Sequence, residues 1–152
     1  MTAPRFADPR YRRDCARAAL RLLRDRQAAL PRFVEQGQIE QADADRAIRL
    51  AECLVAQWRW IVDPARPGLP SFDDRTGFFG AFCFELAEDL ATAARRQRAR
   101  AERPGAAEDA SALADFYEAL AHLQRVRVGA ALVVGEVDVE RSMASARLAE
   151  AA

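Results

Sequence analysis

The sequence predicts an all-α protein: a helical bundle of four main helices plus a short C-terminal helix, opened by an N-terminal antiparallel hairpin. Three observations predict it. Apolar residues recur at spacings of three and four along most of the chain, the signature of amphipathic helices. One such segment ends at Gly37 and the next begins almost at once, which reads as a hairpin corner. A Pro-rich stretch at 63–71 then separates this hairpin (10–62) from a long helix expected at 72–102 and from C-terminal helices at 107–150, all within one domain.

The 152 residues suffice for a real core, because a chain of this size buries roughly 70% of its unfolded surface. No apolar run approaches the ~18 residues of a membrane span, and the opening Met-Thr-Ala-Pro-Arg-Phe-Ala lacks the apolar centre of a signal peptide. A cytoplasmic location is the expectation. Cys15, Cys53 and Cys83 are odd in number, widely spaced and never in a Cys-x-x-Cys pair, so free thiols are expected rather than disulfides or a zinc knuckle.

Helix one is expected over about 10–36. Ala16, Ala19, Leu20, Leu23, Leu30 and Val34 form its apolar arc, and Arg10, Arg13, Arg17, Arg21 and Arg24 fall opposite. Pro31 predicts a kink or a restart without reversal. Gly37 supplies the left-handed residue that ends a helix, and Ile39 plugs the corner. Helix two is expected over about 40–62, with Ala44, Ile48, Ala51, Val55, Trp58 and Val62 as its stripe and Ala47, Leu54 and Ile61 widening it. Trp58 points into the core. Trp60 points away, on the side of Cys53, and needs a cover: the 63–70 linker folding back, or a partner.

Ser71 and Asp74 resemble a capping box for helix three at 72–102, roughly 45 Å long, with Phe79, Phe82, Cys83, Leu86, Leu90, Ala93 and Ala94 inward. Its last turns, Arg95–Arg103, have almost no apolar face and must meet solvent or an acidic surface. Helix four, about 107–128, buries Leu113, Phe116, Leu120 and Leu123, with Tyr117 at the edge and Asp115, Glu118, His122 and Arg125 opposite. Beyond Gly129 the pattern fits either a helix extension to Gly135 or a short strand pair, with helix favoured. A terminal helix at about 138–150 turns Val139, Met143 and Ala146 inward.

All 23 basic residues are Arg, balanced by 23 acids, and a GC-rich genome accounts for the absence of Lys and Asn. The charge is blocked: residues 1–34 hold nine Arg against three acids, 35–94 five against eleven, 95–103 five against one, and 104–152 four against eight. Basic and acidic blocks of this kind pair within a monomer or across an oligomer, whereas a domain built for phosphate contacts is usually basic overall.

No catalytic, cofactor-binding or metal-binding set stands out. Glu85, Glu88, Asp89, Asp115, Glu118 and His122 suggest a carboxylate metal site, but the helical wheels turn Glu85, Glu88, Glu118 and His122 to water, and only one His is present. A zinc quartet of Cys15, Cys53, Cys83 and His122 has no compact spacing. The expected function is a non-enzymatic protein-interaction or assembly module, homo-oligomeric in the simplest case, with no membrane and no small-molecule substrate. Nucleic-acid binding is the alternative and a metal-dependent hydrolase the third. Candidate contact residues are Arg10, Arg13, Arg17, Arg21 and Arg24, then Trp60, then Arg95, Arg96, Arg98, Arg100 and Arg103.

Around the corner, Leu30, Pro31, Phe33, Val34, Gly37, Ile39, Ala44, Asp45 and Ile48 follow an order that resembles small helical-hairpin proteins of phages and prophages. The likeness covers residues 30–52, and it departs at Leu30, where such proteins usually carry Tyr. It implies a phage or mobile-element context and names no activity.

Overall fold

A computed structural model describes residues 6, 8–63, 65, 72–125 and 143–151. It is all-α. Helix α1 spans Pro9–Glu35, α2 Gln41–Val62, α3 Cys83–Ala101 and α4 Ala110–Arg125. Two hairpins, α1 with α2 and α3 with α4, carry most of the packing, and α1 meets α4 and α2 meets α3 between them. Among the described residues no helix is long and apolar enough to cross a membrane.

Helix α1 starts where Asp8 accepts a hydrogen bond from the Arg10 backbone N–H at 2.9 Å, with Pro9 in the first position, where its missing N–H removes nothing from the helix. The helix runs through Pro31 without a break. Pro31 and Gln27, whose carbonyl loses its partner, are both exposed, so water can satisfy the freed group. The helix ends as expected: Gly37 sits at φ 71, its N–H bonds the Val34 carbonyl at 3.0 Å, and the Gln38 N–H bonds the Phe33 carbonyl at 2.8 Å. These two reversed bonds form a Schellman cap, which redirects the chain into α2.

Helix α2 is the centre of the protein. Its expected stripe is buried at Ala44, Ala51, Leu54, Val55, Trp58 and Ile61, and Leu50, Cys53, Gln57 and Trp60 are buried as well. The helix is therefore covered on more than one side. Phe6 packs on Trp58 and on Tyr11, and Tyr11 on Phe116, so aromatic rings tie the N-terminus to α2 and α4. On α1 the deepest residues are Cys15, Ala18, Ala19 and Leu22, one step round from the expected arc, while Leu20 and Leu23 are half-buried.

Residues 72–82 are not helical, which shortens the expected long helix to α3, 19 residues and roughly 28 Å. Asp73 captures the backbone N–H groups of Arg75 at 2.7 Å and Thr76 at 3.1 Å, offering the chain an alternative to helix. An antiparallel bridge joins Asp73 to Gly77, a second joins Phe78 to Ala81, and Gly77, Phe79 and Gly80 all take positive φ. Asp74 lies in this turn rather than at a helix start. The true start is marked by Glu85, whose carboxylate accepts from the Phe82 N–H at 3.3 Å.

Tyr117, expected at an edge, is buried, because α4 packs on α1 as well as on α3, with Ala114, Leu120 and Ala121 buried beside it. Residues 143–151 are helical, but Met143 and Ala146, expected inward, are exposed, as is every residue of this segment, Leu148 included. The expectations for 126–139, for the linker at 66–71 and for Val139 lie outside the described residues.

Candidate interaction surfaces

The Arg stripe of α1 faces solvent along its whole length: Arg10, Arg13, Arg17, Arg21 and Arg24 are all exposed. Arg17 pairs with Asp14 at 3.1 Å and Arg21 with Asp25 at 3.1 Å, so two of the five are partly neutralised by neighbours on the same helix. Beside Asp25, Arg21 also reaches within 3.8 Å of Asp109, and these contacts hold its guanidinium above its ordinary pKa. Arg10, Arg13 and Arg24 have no ion pair among the described residues.

At the end of α3, Arg98 turns onto α4. It donates to Asp115, to Glu118 at 3.1 Å and to Ser111 at 3.2 Å, and this fork, led by Asp115, raises its pKa. Arg95 is exposed and its side chain donates to Thr92. Arg96, Arg100 and Arg103 are exposed without ion pairs among the described residues. The two basic blocks approach each other at Tyr117, whose hydroxyl feels Arg21, Arg26 and Arg100 together.

Trp60 does not present itself to a partner. It is 3% exposed, with the Phe79 ring 6.4 Å away. Among the described residues the 72–82 turn covers this side of α2: Gly80 lies so close that a Cβ there would stand 3.1 Å from the Cys53 sulfur, and Arg49 donates to the Gly80 carbonyl at 3.0 Å. The wheel placed Trp60 on the back of α2 correctly. What sequence reasoning missed was that residues 72–82 fold as a turn able to close over it.

Of the acidic residues considered for a metal site, all but Glu88 pair with Arg. Asp89 takes a two-pronged hydrogen bond from Arg26 at 2.9 and 3.0 Å, and Glu85 faces Arg46 at 3.3 Å and Arg49 at 3.6 Å. Among the described residues no group of His, Cys, Asp and Glu is arranged to hold a metal ion. The three cysteines are free thiols, each raised in pKa by burial, Cys15 to about 12, which leaves them as poorly nucleophilic thiols.

The surface that sequence reasoning missed is aromatic. Phe72 is 52% exposed and Phe84 70%, and with Phe78 and Phe82 they line a groove of about 700 Å³ floored by Cys83, Ala87, Ala91 and Gln124. Ring contacts hold this set together: Phe72 meets Phe78 at 5.2 Å and Phe82 at 6.2 Å, and Phe82 stacks on Phe84 at 5.5 Å. Glu88 and Arg125, both exposed and without ion pairs among the described residues, stand at its rim. The run of Phe was legible in the sequence, but assigning it to a continuous helix turned part of it inward. No protein-family model, curated protein or solved structure matches this chain.

Proposed function

We propose that this chain is a non-enzymatic helical interaction or assembly module that acts in the cytoplasm through the aromatic groove of α3. The observation that carries this reading is the exposure of Phe72 and Phe84 beside an open groove, in a protein whose internal carboxylates are otherwise matched to Arg. Contiguous exposed aromatic surface is characteristic of protein contacts, where rigid rings bury much area with little loss of side-chain freedom. The likeness of residues 30–52 to phage hairpin proteins adds a mobile-element setting to the same reading. Phe84→Ser with Phe72→Ser, checked for helicity by circular dichroism, is expected to abolish association in native mass spectrometry of the protein with its partner or itself. Association unchanged in the folded double variant would overturn the reading.

A second reading, nucleic-acid binding, is favoured by Arg10, Arg13 and Arg24, which line one helix face over roughly 21 Å without acidic partners. Phosphate contacts made this way weaken steeply with salt. Binding to duplex DNA at low salt, lost on adding salt and in an Arg10→Ala, Arg13→Ala, Arg24→Ala variant, supports it; no binding at low salt excludes it.

A further inference from the structure

We infer that the α3 groove takes a tryptophan side chain of a partner protein, its indole N–H donating to the Gln124 Oε1 at the groove floor and its rings lying among Phe72, Phe78, Phe82 and Phe84. This rests on the interaction reading above and names the partner's anchor. Gln124 is 2% exposed, lines the groove and donates its own amide to Gln57, yet its Oε1 accepts from no group among the described residues. An acceptor shut away from water without a donor works against folding. Buried polar groups are satisfied almost without exception, so one left open beside a groove marks a place where a ligand completes it.

The chemistry of the floor selects the occupant. One acceptor is open there, among Phe rings and the apolar Cys83 and Ala91. Lys would bring three donors and Arg five, most of them stranded among the rings, and Tyr would add acceptor lone pairs with nothing to fill them. The indole of Trp brings one donor and no acceptor on a flat apolar body. A groove of about 700 Å³ has room for that ring and for backbone on either side, so the occupant is a peptide segment. The rim adds charge complementarity. Glu88 and Arg125 are exposed there, opposite in sign and without ion pairs among the described residues. A segment with a basic residue on one side of its Trp and an acidic residue on the other matches both, whereas one of uniform charge meets a like charge at one of them.

Two short blocked peptides, each with Trp between one Arg and one Glu, test this on the full chain; in the second the indole nitrogen is methylated and cannot donate. Ligand-observed NMR gives the dissociation constants. The first peptide is expected to bind at least tenfold more tightly than the second. Gln124→Leu is expected to bring the first down to the level of the second and leave the second unchanged, and Glu88→Arg to weaken both alike. Equal binding of the two peptides to the wild type overturns the proposal, and that comparison needs no variant to fold. A preference for the unmethylated peptide that survives in Gln124→Leu also overturns it, since the indole then donates to another group. So does failure of both peptides to bind. If the Phe84→Ser, Phe72→Ser variant then still loses an association that the wild type makes, the groove reading stands and only the Trp anchor is wrong.

Discussion

Arg26 of α1 and Asp89 of α3 form a two-pronged ion pair, at 2.9 and 3.0 Å, that joins the two hairpins. The same guanidinium donates to the Ala47 carbonyl of α2 at 2.7 Å, so one side chain ties three helices. Both partners are largely shielded, with 14% and 17% of their side chains exposed. Removing one partner from a pair of this kind leaves a poorly solvated charge, whereas removing both leaves none. Asp89→Asn is therefore expected to destabilise the fold by about 2 kcal/mol, less than the fully buried limit because some water reaches the pair. Arg26→Met with Asp89→Leu is expected to cost less than the sum of the two single changes. Denaturant midpoints for the four proteins of the cycle check this, and additive losses would contradict it.

The 72–82 turn gives a sharper contrast between two glycines. Gly77 has φ 82, and a Cβ there would stand 2.4 Å from the Ala81 carbonyl oxygen, a backbone atom that cannot move aside without disturbing the Phe78–Ala81 bridge. Gly37 has φ 71 but open space around it. Gly37→Ala should therefore lose only the left-handed preference, about 1 kcal/mol. Gly77→Ala should lose more than about 2 kcal/mol and loosen the turn that shields Trp60. A shift of tryptophan emission to longer wavelength in Gly77→Ala, absent in Gly37→Ala, is the expected readout.

Gln57 and Gln124 meet inside the bundle, the Gln124 amide donating to the Gln57 carbonyl oxygen at 2.8 Å, while the Gln124 Oε1 accepts from no group among the described residues. An unsatisfied buried acceptor works against stability, and a single change that strands the other partner adds to the loss. Gln57→Leu alone is expected to destabilise by about 1–2 kcal/mol. Replacing both by Leu removes the stranded groups together and is expected to leave the thermal midpoint equal to or above that of the wild type. A double variant less stable than Gln57→Leu would show that the pair contributes more than its one bond.

How far the sequence reached follows from where its patterns are local. The Gly37 cap, the extent of α2 and the placement of Trp58 are set by residues within a few positions of one another, and each was legible. The 72–82 turn was not. Its Phe residues continue a helical period, and only the combined pull of the Asp73 side chain and two glycines at positive φ decides against helix. That single misreading hid the aromatic groove and left Trp60 without its cover. Arg12 and Arg26 show the opposite limit: each lies seven residues from Ala19, on the apolar side of the helix and away from the five exposed Arg, so their shielding was legible, but nothing local names the Asp89 that Arg26 meets 63 residues along the chain.

Alkaline pH provides the last test, because three acids on α1 and α4, Cys15 and Tyr117 buried and Tyr11 partly so, share a direction. Burial pushes Tyr117 up to about 12, with Asp25 adding to the shift while Arg21, Arg26 and Arg100 oppose it. Tyr11 rises to about 12 by burial and by its contact with Cys15, and Cys15 rises to about 12 by burial and by Asp14. In each case the folded protein holds its proton where the unfolded chain, with ordinary values of 10.0 for Tyr and 9.0 for Cys, has released it. The folded state therefore binds more protons above about pH 9, and stability falls as pH rises from there toward about 12. Stability from these groups is fully present below that window. Tyr117→Phe removes one of the three, so its stability is expected to fall less steeply between pH 10 and 12 whatever its value at neutral pH. Urea midpoints measured at intervals from about pH 8 to 12 give the slope directly, and equal slopes for wild type and variant would show that Tyr117 ionises as freely in the folded protein as in the unfolded chain.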